Sequence, residues 1–207
     1  MHMLEMNVNV TLFNKDNLKG LASVQIHDEL RLNGIRIMES EEGKLFVSLP
    51  SYKSKSGEYV QYYHPVTKEF HDALNEKVLS AYNLVAEGKR PERQESMQEQ
   101  VKISSMRVTP YEKDSIKGLA TVVVNDSLAI NSIKVMKGQY GLYPAMPTYK
   151  SGDGEYHEIV ECGQELKKNI KTEIRKAMND LKKDEKPVEE KQEVKPVPKR
   201  KPKAKSR

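Results

Sequence analysis

The chain has 207 residues, 35 Lys and Arg against 30 Asp and Glu, one Cys and no Trp. A single Cys excludes an intramolecular disulfide and a thiolate metal cage, since both need at least two. No run of about 18 apolar residues is present, and the first ten residues lack the basic and apolar regions of a secretory signal, so a soluble, cytoplasmic protein with no membrane partner is expected.

In chain order, Met6, Val8, Val10 and Leu12 alternate as a half-buried strand does, and a second strand fits Leu21 to Ile26. His27-Asp28 reads as a tight turn. The next strand carries Leu30, Leu32, Ile35 and Ile37, and its apolar parity slips by one at Asn33-Gly34, the signature of a β-bulge. A turn at Gly43 leads to a fourth strand, Leu45 to Leu49, ending at Pro50. After a loop, Phe70, Leu74, Val78 and Tyr82 recur every four residues and form one apolar helix face. Glu87 to Gln100 is charged and free of aromatics, which suits a linker.

The pattern then starts again. Lys19 to Val24 (KGLASV) is matched by Lys117 to Val122 (KGLATV), and Pro50 to Ser54 (PSYKS) by Pro147 to Ser151 (PTYKS). Nearly half the aligned positions of 19–59 and 117–156 are identical, at a separation of ~97 residues that is too long for a solenoid repeat. The second copy repeats the turn at Asn125-Asp126, the bulge at Asn131-Ser132, the strand Leu142 to Met146 and a helix face of Leu166, Ile170, Ile174 and Met178. The expected fold is α+β, with two units that are each an antiparallel β-meander covered by a helix. The expected divisions are unit one at 1–86, a linker at 87–101, unit two at 102–182 and a tail at 183–207. Lys195 to Arg207 holds seven bases, three prolines and no acid, leaving residues 1–194 with 28 bases against 30 acids. The tail's composition suits a disordered cationic arm, through residues such as Lys199, Arg200 and Lys201.

Leu45 to Ser51 (LFVSLPS), Gly57-Glu58-Tyr59 and His64-Pro65-Val66 resemble the strand-ending "LFVAMPS", "DGEF" and "HPI" elements of the septation protein SpoVG family. Copy two repeats the first two as Leu142 to Thr148 and Asp153 to Tyr156, while Glu161-Cys162 replaces His-Pro. Familiar members of that family are short single-copy proteins that dimerise and bind DNA or RNA as regulators. The resemblance therefore implies a nucleic-acid-binding regulator. Here the two units would pair within one chain as a pseudo-dimer, and association of whole chains into a homo-oligomer stays open.

No H-E-x-x-H, G-x-S-x-G or Gly-rich phosphate loop occurs, so no enzyme, cofactor or metal site is expected. The matched acids Glu58 and Glu155 read as loop ends, and His64 with Cys162 reads as a loop His and an unrelated thiol. Arg36 and Lys134 share one strand position between apolar neighbours, which alternation turns away from the core. Lys53, Lys55 and Lys150 lie in polar loops of the kind that contact phosphate. Lys167, Lys171 and Arg175 follow helical spacing in copy two, with Lys168 beside them. Tyr52, Tyr59, Tyr149 and Tyr156 suit base stacking and packing at a sheet rim equally. A different class of function, an adaptor that pairs with partner proteins through exposed sheet edges, fits the same strands.

Overall fold

The structure, a computed structural model, describes residues 5–93, 100–150 and 154–184, with side chains to residue 181. Lys199, Arg200 and Lys201 lie outside the described residues. Unit one runs β1 (Met6–Lys15), β2 (Leu18–Ile26), β3 (Leu30–Glu39), β4 (Leu45–Ser48), β5 (Ser51–Lys53), β6 (Tyr59–Gln61), β7 (Tyr63–Pro65) and α1 (Lys68–Ala86). Unit two repeats the order as β8 (Ile103–Lys113), β9 (Ile116–Val124), β10 (Leu128–Gly138), β11 (Gly141–Ala145), β12 (Thr148–Lys150), β13 (Tyr156–Glu158), β14 (Val160–Cys162) and α2 (Gln164–Asp184). The fold is α+β, with two β-sheet units each followed by a helix.

The alternation read from sequence sorts the strand faces. In β2, Gly20, Ala22, Val24 and Ile26 point inward, as Gly118, Ala120, Val122 and Val124 do in β9. The helices lay their apolar stripes on these faces. Phe70, Leu74, Val78 and Ala81 are buried in α1, and Leu166, Ile170, Ile174 and Met178 in α2. Thr67 starts α1 by accepting the Phe70 amide at 3.2 Å. The first turn of α2 is served from the other unit, because Glu29 Oε2 accepts the Leu166 amide at 3.2 Å.

Both bulges form where the parity slips. Pairing of β2 with β3 shifts register between Ala22 and Val24, and pairing of β9 with β10 shifts between Ile130 and Ile133. Gly34 takes φ +78° and Ser132 takes φ +60°. Each bulge also divides its strand between two neighbours. The second half of β3 pairs with β4 of its own unit, from Arg36↔Ser48 to Glu39↔Leu45. Its first half pairs with β14 of unit two, from Leu30↔Cys162 to Leu32↔Val160. Strand β10 does the same with β11 and with β7 of unit one, where Leu128 faces Pro65 and Ile130 faces Tyr63.

The units thus exchange one strand each, and the buried residues of both form a single cluster. Tyr63 lies at this junction, fully buried, with its hydroxyl donating to the Asn33 carbonyl at 2.9 Å. Burial holds that phenol well above its ordinary pKa.

The segment after Pro50, read from sequence as a loop, contains the β5–β6 hairpin and β7. His64 is accordingly a strand residue and not a loop residue. Three-residue strands are too short to show a period of two, which is why the alternation misses them.

Candidate nucleic-acid interface

Arg36 is exposed between the buried Ile35 and Ile37, and Lys134 between the buried Ile133 and Val135. Each bears on the sheet face opposite its helix. In register, Arg36 lies between Leu21 and Ser48, and Lys134 between Leu119 and Ala145. Strand exchange brings the β5–β6 hairpin of unit one against unit two's strand β10. The Tyr52 hydroxyl and Ser132 Oγ are 2.9 Å apart, and Ser132 stands two residues before Lys134 on β10. Tyr52 also packs against Tyr62, with ring centroids 4.9 Å apart.

The hairpins carry the other candidates. Lys53 faces Tyr59 directly across β5–β6, and Lys150 faces Tyr156 across β12–β13. Lys150 Nζ lies 5.8 Å from the Tyr156 ring centroid, within cation–π range. Lys55 is exposed between β5 and β6.

A cation already held by a carboxylate has less to offer a phosphate, and this separates the basic residues. Lys19 pairs with Glu39 at 2.7 Å, a bond that raises the lysine's pKa. Lys117 pairs with Glu112 at 3.2 Å. In α2, Lys167 pairs with Glu158 at 3.4 Å, Lys168 with Glu165 at 3.8 Å and Lys176 with Glu173 at 2.6 Å. Arg175 donates to the carbonyls of Leu142 at 3.2 Å and Tyr140 at 3.0 Å, so its guanidinium fastens the β10–β11 turn to the helix. The helical stripe read from sequence therefore divides into Lys167 in an ion pair, Arg175 in a structural clasp, and Lys171. Arg36, Lys53, Lys55, Lys134 and Lys171 make no ion pair among the described residues.

His64 and Cys162 do not form a pair. Register puts His64 opposite Ala129 and Cys162 opposite Leu30, in different sheets. The thiol is buried beside the Met146 sulfur at 4.0 Å, and burial pushes its pKa up to about 12, opposite to what a nucleophile requires. Among the described residues, no three of His, Cys, Asp and Glu converge to hold a metal ion, and no helix is long and apolar enough to cross a membrane.

Sequence reasoning missed the side chains that fasten the exchanged strands. Asn33 donates to the Glu158 carbonyl at 3.0 Å and to Glu161 Oε1 at 2.6 Å. Asn131 donates to the Gln61 carbonyl at 3.0 Å and meets His64 Nδ1 at 3.0 Å. The available signal was an Asn at the same bulge position of both copies.

The sequence profile of the SpoVG family matches residues 1–84 and again 101–180. Among relatives, one from Archaeoglobus fulgidus is 38% identical over 66 residues, which are 32% of this chain and 76% of the relative. One from Lachnospira eligens is 38% identical over 65 residues, 31% of this chain and 73% of the relative. One from Finegoldia magna is 36% identical over 78 residues, 37% of this chain and 71% of the relative. All three carry the provisional name septation protein SpoVG. Each matched stretch is about one unit in length, and the profile accounts for both units with their sheets and helices. The chain belongs to the SpoVG family, whose unit it contains twice in tandem.

Proposed function

We propose that the chain is a cytoplasmic, non-enzymatic regulator that binds DNA or RNA as an intrachain pseudo-dimer of two SpoVG units. A role in septation is suggested by the names of its relatives. The observation that carries this reading is the recurrence, in both units, of cations without carboxylate partners among the described residues: Arg36 with Lys134 on the sheet faces, and Lys53 with Lys150 on the hairpins. Such cations neutralise phosphates and release counterions, which favours binding without reading sequence. Exchange of β7 and β14 pairs each unit's sheet with a strand of the other, which limits how far the two sets of cations can move relative to one another. The seven bases of Lys195 to Arg207 add positive charge to a body that is near neutral. A titration of affinity for duplex DNA and for RNA against salt tests the reading. Affinity should fall steeply with salt, and a protein that binds neither polymer at low salt would refute it.

One observation favours an adaptor as the second reading. Strands β1 and β8 end their sheets, and β1 exposes Leu12 and Phe13. An open edge can accept a partner's strand through backbone hydrogen bonds, and such binding is only weakly sensitive to salt.

A further inference from the structure

The two hairpins share an arrangement that packing does not require. Tyr59 is 75% exposed and Tyr156 is 71% exposed, each directly across a two-stranded ladder from a lysine. Other aromatic rings in the same arms do serve the fold: Tyr52 is bonded to Ser132 and packed on Tyr62, and Tyr63 is buried at the junction between units. Tyr59 and Tyr156 hold out a ring face and a cation side by side, at matched positions in both units.

We infer that the Tyr59–Lys53 and Tyr156–Lys150 pairs bind single-stranded nucleic acid, each ring stacking on an unpaired base while the lysine meets an adjoining phosphate. This rests on the nucleic-acid-binding reading and names its substrate class. In a duplex the base faces are covered by neighbouring bases, so a ring on a hairpin can reach only phosphates and groove edges. In a single strand the faces are free, and every base offers one, so stacking tolerates sequence. Lys150, poised 5.8 Å from its ring, can turn outward to a phosphate while the ring meets the base. Unit two offers a further ring on the opposite face of its hairpin: Tyr149, 44% exposed, lies 5.5 Å from the His157 ring.

The test compares affinities of the full chain for a single strand of about 12 nucleotides, an abasic strand of equal length and charge, and a duplex. DNA and RNA versions of each are used. The parent should prefer the base-bearing strand to the abasic one. Tyr59→Ala and Tyr156→Ala should each weaken single-strand binding by roughly tenfold and leave duplex binding within about twofold. Tyr59→Phe and Tyr156→Phe should bind like the parent, because stacking needs the ring and not the hydroxyl. Equal affinity for the abasic and base-bearing strands, or alanine variants that bind single strands like the parent, would overturn the inference while duplex binding kept the broader reading alive. Failure of the parent to bind any of the three at low salt would overturn both.

Discussion

Asn131 and His64, from different units, lie 3.0 Å apart, Nδ2 to Nδ1, and the equivalent Asn33 donates to Glu161 in the reciprocal position. The registers Leu128↔Pro65 and Leu30↔Cys162 make His64 and Glu161 counterparts. Two chemically different acceptors thus play the same part, each meeting the bulge asparagine of the other unit. That asparagine also donates to a backbone carbonyl next to the exchanged strand. A bulge that redirects β3 or β10 to a new neighbour is thereby tied down at the point where the neighbour changes.

The unlike acceptors make the two asparagines respond differently to the same substitution. Asn33→Asp sets a carboxylate against Glu161, while Asn131→Asp sets one against an imidazole whose Nδ1 can carry the ring hydrogen and donate. At neutral pH the first should cost about 2–3 kcal/mol and the second about 1 kcal/mol, read from urea unfolding. Repulsion raises the carboxyl pKa in folded Asn33→Asp, so that its folded state binds protons more tightly than its unfolded chain. The gap between the variants should therefore narrow as pH falls through the carboxylate range. A gap that stays constant with pH would sink this account.

Glu29 caps a helix that begins more than a hundred residues later. Glu29→Ala should lower stability by about 1 kcal/mol, as loss of an N-terminal cap does. A Cβ added at Gly163 would lie 2.6 Å from Glu29 Oε2. Gly163→Ala should then displace the cap, and the double variant should cost less than the sum of the single ones. Strict additivity in a double-mutant cycle would show that the two act separately.

The buried thiol sets an alkaline limit. Folded Cys162 keeps its proton until about pH 12, whereas the unfolded chain loses it near the ordinary value of 9.0. The contribution is fully present below pH 9.0 and is lost as pH rises toward 12. Cys162→Ala should decline less over that interval than the parent. Tyr63 ionises in both proteins, so the comparison isolates the thiol. In the native parent Cys162 should resist thiol reagents at pH 8 and react once urea unfolds the chain; rapid labelling of native protein would contradict the burial argument.

Two cations one helical turn apart in α2 should separate binding from folding. Lys171→Glu should weaken nucleic-acid binding at little cost in stability, while Arg175→Glu should lower stability by about 1–2 kcal/mol through loss of its bonds to Tyr140 and Leu142. Calorimetry and a binding assay on both variants decide the matter. Equal melting behaviour would mean that Arg175 is not a clasp.

Much of the architecture is legible in the sequence because it rests on long periodic segments. Strands β1, β2 and β3 run nine or ten residues and alternate clearly, both helix faces repeat every four residues, and the parity slip at Asn33 marks the bulge. Less can be read of the junction. Strands β7 and β14 have three residues each, and what fixes them is pairing with a segment of the other unit, which no local pattern encodes. The role of Arg175 is hidden for a related reason. Helical spacing shows which residues share a face, but not that the Tyr140–Leu142 turn presents its carbonyls to that face.

The most direct test of the central claim is the salt dependence of nucleic-acid affinity in the parent and in an Arg36→Glu, Lys134→Glu double variant. If these two side chains meet phosphates, the parent's log affinity should fall steeply with log salt, and the variant's slope should be shallower by about 2, with its melting temperature unchanged. An unchanged slope in the folded variant, or affinity in the parent that is indifferent to salt, would contradict the account.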